Sequence, residues 1–175
     1  MKTKAMKTKK RTLISLLLVL CLCLGMSPLF ATHASAADLT YEVTGGKLYF
    51  DATTGTITKD DKTITEADIP AEIYGVPVTT IHGDAFYNNS NLKRVTIPDS
   101  VTTIKDRTFY NCSKLTEIVI PDSVTSVGQS VFQSCKSLTS VTIGRGMTSI
   151  PREMFYNCTA LKKHHHPGQH HLHRV

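Results

Sequence analysis

The chain has 175 residues, with 20 Lys and Arg against 14 Asp and Glu, a formal net charge of +6, and 8 His. Such a balance points to an anionic partner only if the charge sits on the part that folds. Six basic residues lie in Met1 to Arg11 and three more, Lys162, Lys163 and Arg174, lie in the last fourteen positions, so Asp38 to Leu161 holds eleven basic and fourteen acidic residues, a net of −3. The basic residues of that middle segment are scattered, with no Lys/Arg stripe and no aromatic platform in a basic groove, which argues against nucleic acid as a partner. Six of the histidines fall between His164 and His173. Composition read by segment describes three different objects.

Residues 1–36 have the three-part form of a secretory signal peptide: Lys-rich Met1 to Arg11, then Leu13 to Leu24, apolar apart from Ser15, then small residues at Ala34-Ser35-Ala36. An uncleaved anchor is the competing reading, but the apolar stretch is short for a span of about 20 residues, and Pro28 interrupts it. Cleavage after Ala36 leaves no membrane span. It delivers a mature chain to the outside of the cytoplasmic membrane, secreted or at the cell surface, where disulfides are permitted.

Residues 37–68 do not share the period that begins at Ile69. Tyr41-Glu42-Val43, Lys47-Leu48-Tyr49-Phe50 and Thr56-Ile57-Thr58, separated by Gly45-Gly46 and Thr53-Thr54-Gly55, read as short strands joined by tight turns. The expectation is a small N-terminal β cap or lead-in over the first repeat. The alternative is an unstructured spacer, because Thr58 to Asp68 is polar and charged.

Residues 69–161 repeat. Phe86, Phe109, Phe132 and Phe155 recur at a fixed step of 23 without a gap, and the same step carries Leu92, Leu115, Leu138 and Leu161; Ile81, Ile104, Val127 and Ile150; and Cys112, Cys135 and Cys158. Pro98-Asp99-Ser100-Val101-Thr102 returns as Pro121-Asp122-Ser123-Val124-Thr125. The β-branched alternation Val-x-Ile in each unit predicts a short strand, ended by a Pro that has no N–H to give to a ladder. One unit buries too few apolar side chains to offset the entropy of ordering it, so about four units must stack and share their faces. The predicted fold is a leucine-rich-repeat solenoid, mainly β with short turns or 3-10 segments, its parallel sheet on the concave side.

Leu115-Thr116-Glu117-Ile118-Val119-Ile120-Pro121-Asp122-Ser123-Val124-Thr125-Ser126-Val127-Gly128, followed by Phe132 and Cys135, resembles the BspA-like leucine-rich repeat of bacterial secreted and cell-surface proteins. The lead-in from Ile69 to Ile81 is similar to the first unit of such arrays. The resemblance implies a secreted or surface-displayed protein active in adhesion, with host extracellular or cell-surface proteins as partners. Departures from the pattern, Asn89 for the first Cys, Lys105-Asp106 for an Ile-Gly step and Gly144 for the strand-ending Pro, read as repeat drift.

No catalytic constellation, cofactor motif or metal site is visible. Within Asp38 to Leu161 there is a single His, His82, at a turn position. Cys112, Cys135 and Cys158 read as a buried apolar ladder, with one disulfide between adjacent rungs as the alternative that a spacing of about 4.8 Å would permit. What remains is the outward side of the strands: Lys93, Arg94 and Thr96, then Thr116, Glu117 and Val119, then Thr139, Ser140 and Thr142. These nine form the candidate binding face; with the role that the resemblance implies, the expectation is a protein-binding or adhesion module, and the tail that follows Leu161 makes it a truncated piece of a longer surface protein. The alternatives are an ordinary solvated sheet and, for the whole, a structural stalk presenting a catalytic or anchoring domain lost downstream.

Residues 162–175 end the periodic pattern with a His-rich run that suggests a metal tail. A frame change explains it better. A His codon read one nucleotide later becomes Ile or Thr when the next codon begins with C. From Lys162 the shifted tail is compatible with Lys-Ser-Ile-Thr-Ile-Pro-Asp-Ser-Ile-Thr-Ser-Ile-Gly, the next repeat in register, with Pro167 two periods after Pro121. The tail is therefore expected to be unstructured and out of frame. The rung around Val141, Ile143, Ile150 and Phe155 then lacks a polar cap and is expected to fray or to self-associate. The nucleotide sequence checks this: codons for His164 to His166 that read Ile-Thr-Ile one base later support it, and any other reading there refutes it.

Overall fold

The computed structural model describes residues 39–162. The expected signal peptide and, apart from Lys162, the expected tail lie outside them. Among the described residues there is no helix. The elements are β1 (Leu39–Val43), β2 (Gly46–Asp51), β3 (Thr56–Asp60), β4 (Glu66–Asp68), β5 (Glu72–Ile73), β6 (Val76–Pro77), β7 (Thr80–Ile81), β8 (Arg94–Thr96), β9 (Thr103–Ile104), β10 (Glu117–Ile120), β11 (Ser126–Val127) and β12 (Ser140–Ile143).

β1, β2 and β3 form an antiparallel meander. Alternation drives it: Leu48 and Phe50 are fully buried while Lys47 points to solvent. β3 then pairs in parallel with β7, and the sheet continues through β9 and β11, each step advancing one repeat: Thr80↔Thr103↔Ser126. On another side of the coil, β4 pairs in parallel with β8 and β10 with β12. Between β8 and β10 the ladder is carried by the Thr116 N–H, which donates to the Lys93 carbonyl at 3.3 Å. The result is a β-solenoid of about four turns, and equivalent positions such as Thr79 and Thr102 are 23 residues apart.

Turns closed between residues three apart join the strands of each rung. In one rung the N–H of Val101 donates to Pro98, that of Tyr110 to Arg107, that of Cys112 to Phe109 and that of Leu115 to Cys112, all at 3.0 to 3.2 Å. The Phe loop passes twice through the left-handed region, at Asp84, Arg107, Ser130 and Glu153 (φ 55 to 66°) and at Asn88, Asn111, Ser134 and Asn157 (φ 55 to 63°). Asn tolerates this conformation better than most residues, which accounts for its recurrence in the second column.

The interior is a set of columns. Phe86, Phe109, Phe132 and Phe155 stack nearly parallel with centroids 5.1, 5.3 and 5.8 Å apart. Beside them, the thiols of Cys112, Cys135 and Cys158 each donate to the carbonyl of the Phe one rung earlier, Phe86, Phe109 and Phe132, at 3.0 to 3.1 Å. Ile150, which continues the β11 position, is half-buried, whereas Val141, Ile143 and Phe155 of the same rung are buried.

The repeats begin earlier than Ile69. Ile64 to Pro70 is the counterpart of Leu92 to Pro98, with Ala67 in the Val place. Here Glu66 pairs with Arg94 across 28 residues rather than 23. The extra length is the β5–β6 hairpin. Its tip, Tyr74 (φ 54°) and Gly75 (φ 80°), has the two positive φ values of a two-residue turn matched to strand twist. The Tyr74 hydroxyl donates to the Thr40 carbonyl of β1 at 2.9 Å.

The departures from the pattern have structural roles. Gly144 keeps an N–H that Pro98 and Pro121 lack and donates it to Ile120 at 2.8 Å; it lies so near Pro121 that a Cβ would come within 2.5 Å of that carbonyl. Asp106 Oδ1 accepts the N–H of Gln129 at 2.8 Å, as Asp122 Oδ1 accepts that of Arg145. Asn89 is fully buried at the Cys position of the first Phe rung. Its Nδ2 donates to Asp60 and to the Ile64 carbonyl, and its Oδ1 accepts from the N–H groups of Asn91 and Leu92 at 2.9 and 3.1 Å. Asp60 is itself buried, and its other oxygen holds Lys62 Nζ at 2.5 Å.

A thiol at position 89 would fill the column but leave the buried Asp60 carboxylate short of a donor. Asn89→Cys is therefore expected to destabilise the chain by about 2 kcal/mol, read as a lower urea midpoint. An unchanged midpoint would show that Asn89 is interchangeable with the later cysteines.

Candidate binding face

All nine residues of the candidate face are exposed, and the fold aligns them in three columns. Val95, Ile118 and Val141 point inward, as do Ile97, Ile120 and Ile143, so the alternate positions must point outward. Register sets Arg94, Glu117 and Ser140 in one column and Thr96, Val119 and Thr142 in another. Lys93, Thr116 and Thr139 make the third, joined by the N–H of Thr116 to Lys93 and that of Thr139 to Thr116.

Sequence reasoning missed two members. Glu66 and Asp68 of β4 extend the face by one rung, opposite Arg94 and Thr96. The signal was present as Thr65-Glu66-Ala67-Asp68-Ile69-Pro70, but the hairpin displaces it from the regular period. Arg94 Nη2 lies 3.2 Å from Glu66 Oε2 and 3.4 Å from Asp68 Oδ2. The hydrogen bond that Arg94 donates to Glu66 and the charge of Asp68 raise the Arg94 pKa above its ordinary value. The Thr96 hydroxyl donates to Asp68 Oδ1 at 2.7 Å. The group is exposed, so it fixes the direction of the guanidinium more than it adds stability.

Further along the face the character changes. The Thr139 hydroxyl donates to the Thr116 carbonyl at 3.0 Å, so that column bonds laterally to its own ladder. Glu117 has no ion-pair partner among the described residues, and Val119 beside it is 58% exposed, a large apolar side chain at the middle of an otherwise polar sheet. From β4 to β12 the face thus runs from a clamped cation, through an acid next to an apolar side chain, to hydroxyls.

Four of the scattered basic residues fall in or beside equivalent turns of successive rungs. Lys93, Lys114, Lys136 and Lys162 are all exposed and lie in or next to the turn that leads each rung into its outward strand. These turns are closed by the N–H of Leu92, Leu115, Leu138 and Leu161 onto Asn89, Cys112, Cys135 and Cys158. Each of these turns therefore carries one exposed lysine, at its fourth, second, first and fourth position in succession.

Elsewhere the polar groups serve the fold. The three thiols are free and buried. Burial, with the charge of Asp60 behind it, pushes Cys112 up to about 12, and burial pushes Cys158 up to about 11. Burial raises Cys135 further, with its neighbours Cys112 and Cys158 adding to the effect. They remain thiols at neutral pH, which suits a column of weak donors and not a nucleophile. His82 is exposed in its turn, with Nδ1 against the Gly83 carbonyl. It borders a shallow groove of about 480 Å³ with Asp84, Lys105, Asp106 and Arg107, whose main charges are already matched: Arg107 pairs with Asp84 at 3.3 Å and Asp106 binds the Gln129 N–H. No group of three or more His, Cys, Asp or Glu that could hold a metal ion occurs among the described residues.

A comparison with curated proteins finds no match. Among solved structures, the chain is similar to a leucine-rich repeat protein from Eubacterium ventriosum ATCC 27560, at 27% identity and TM-score 0.62 over 75% of this chain and 34% of that one. It is also similar to a leucine rich cell surface protein from Faecalibacterium prausnitzii A2-165, at 28% identity and TM-score 0.54 over 75% of this chain and 43% of that one. The pneumococcal vaccine antigen PcpA, at 20% identity and TM-score 0.54 over 75% of this chain and 37% of that one, shares the fold. The chain thus spans less than half the length of each of these three. The family model of the BspA type Leucine rich repeat region matches residues 60–172 in six copies, starting ahead of Ile69 as the early β4 requires. With the rung spacing, the Phe and Cys columns and this match in agreement, the chain belongs to the BspA-type leucine-rich repeat family.

Proposed function

We propose that this chain is a non-enzymatic recognition module of a secreted or cell-surface bacterial protein, and that it binds a protein partner through the β4–β8–β10–β12 face. The observation that carries the reading is the set of outward residues itself: nine exposed side chains in fixed register, with an oriented Arg94 and an exposed Val119 flanking Glu117. A rigid sheet presents these groups at little entropic cost to binding, and a central apolar side chain ringed by polar ones is the pattern of interface hot spots. The similar Faecalibacterium protein is described as a cell surface protein, which supports the location.

The test is a binding panel of purified extracellular host proteins against the chain and its Arg94→Ala/Glu117→Ala/Val119→Ala variant. At least one partner should bind, and the variant should lose about tenfold or more in affinity, the equivalent of about 1.4 kcal/mol. A partner bound equally well by both proteins would move the site off this face. Binding to no member of the panel would favour the stalk.

A further inference from the structure

The lysine edge is a separate feature from the protein-binding face, although Lys93 borders both. Its four turns read Ser90-Asn91-Leu92-Lys93, Ser113-Lys114-Leu115-Thr116, Lys136-Ser137-Leu138-Thr139 and Thr159-Ala160-Leu161-Lys162. Each contains one lysine and no acid, although Asp38 to Leu161 as a whole is acidic. The leucines are buried, which pins the turns, and everything else in them is hydroxyl, amide, a small Ala or ammonium.

Stacking turns this into a row. Lys93 donates its N–H to Thr65, Thr116 to Lys93 and Thr139 to Thr116, at 2.8 to 3.3 Å, and on the other side of the turn Ser134 donates to Tyr156 of the last rung at 2.8 Å, so successive turns lie side by side. At a strand spacing of about 4.8 Å, four rungs set the lysine stems along roughly 14 Å. None of the four lysines has an ion-pair partner among the described residues. Toward the Phe loop the bordering column is neutral: Asn88, Asn111, Ser134 and Asn157. Toward the sheet, Glu117 is the one carboxylate on the bordering column beyond Arg94. At the first rung Lys62 is held by the buried Asp60, so the row of unpaired cations starts at Lys93.

A line of cations does not converge on a point, so it suits an extended polyanion and not a compact ion. The sixteen residues of the four turns contain no aromatic side chain on which a base could stack. Their hydroxyls and amides instead match a ligand rich in hydroxyl groups. We propose that this edge binds an extended anionic polysaccharide carrying repeated sulfate or carboxylate groups, laid across the rungs with one anion near each lysine.

The experiment uses the full chain, so the basic residues of Met1 to Arg11 give a background common to every variant. Lys114→Gln/Lys136→Gln/Lys162→Gln removes three edge charges and leaves the protein-binding face intact. Lys105→Gln/Arg145→Gln/Arg152→Gln removes the same charge elsewhere. Heparin as the sulfated probe and polygalacturonate as the carboxylated probe are titrated between about 50 and 200 mM salt, conditions set by the counterion-release argument. The edge variant should lose about tenfold in affinity at the lowest salt, and its slope of log K against log salt should shrink by about 2, from roughly 0.7 per charge. The control variant should change by less than about twofold. Because heparin carries carboxylates as well as sulfates, binding of polygalacturonate shows that carboxylate suffices, and binding of heparin alone assigns the site to sulfate. Equal losses in both variants, no binding of either polymer, or tighter binding of poly(dT) than of both with the same dependence on the edge lysines would overturn the proposal.

Discussion

Phe109 lies between Phe86 and Phe132, with ring centroids 5.1 and 5.3 Å away, and cannot be buried by its own rung. The same holds for its backbone. The Phe109 N–H donates forward to Val131 of the next rung, whereas the Thr116 N–H, further along the same rung, donates back to Lys93 of the previous one. The Phe109 carbonyl takes both the N–H of its own Cys112 and the thiol of Cys135. Each rung is thus completed on both sides by copies of itself, and the outward faces exist only because stacking fixes their register.

The places where repetition breaks specify the array. A stack of identical units has no intrinsic start. The inserted hairpin at Tyr74-Gly75 and the replacement of Cys by Asn89 mark one, because Asn89 exchanges a weak thiol bond to a preceding Phe for strong ones to Asp60 and Ile64. Further along, Gly144 admits a closer approach to Pro121 and one more ladder hydrogen bond than a Pro could supply. The price of regularity is backbone strain, with two left-handed residues per rung that are not glycine.

The columns were legible in the linear sequence because a fixed period brings like residues together without any knowledge of geometry. Six of the nine face residues followed from alternation, and Lys93, Thr116 and Thr139 followed as the polar positions between each buried Leu and its strand. Glu66 and Asp68 were hidden by the longer step that the hairpin imposes and by Ala67 in place of Val. The lysine edge was hidden differently: Lys93 and Lys162 share a register, but Lys114 and Lys136 between them stand at other positions of the turn, and the closing of each turn on its buried Leu is what brings the four together. The left-handed Asn column had a compositional trace, whereas Arg107 and Glu153 at the other left-handed position had none.

Stacking between rungs, more than the content of any single rung, holds this fold. Equilibrium unfolding of Phe109→Ala, combined with amide hydrogen exchange, measures this directly. Truncating the ring is expected to remove about 3 to 5 kcal/mol and to lower protection in the rungs of Phe86 and Phe132 as well as in its own. A loss below about 1 kcal/mol, or one confined to the rung of Phe109, would contradict it.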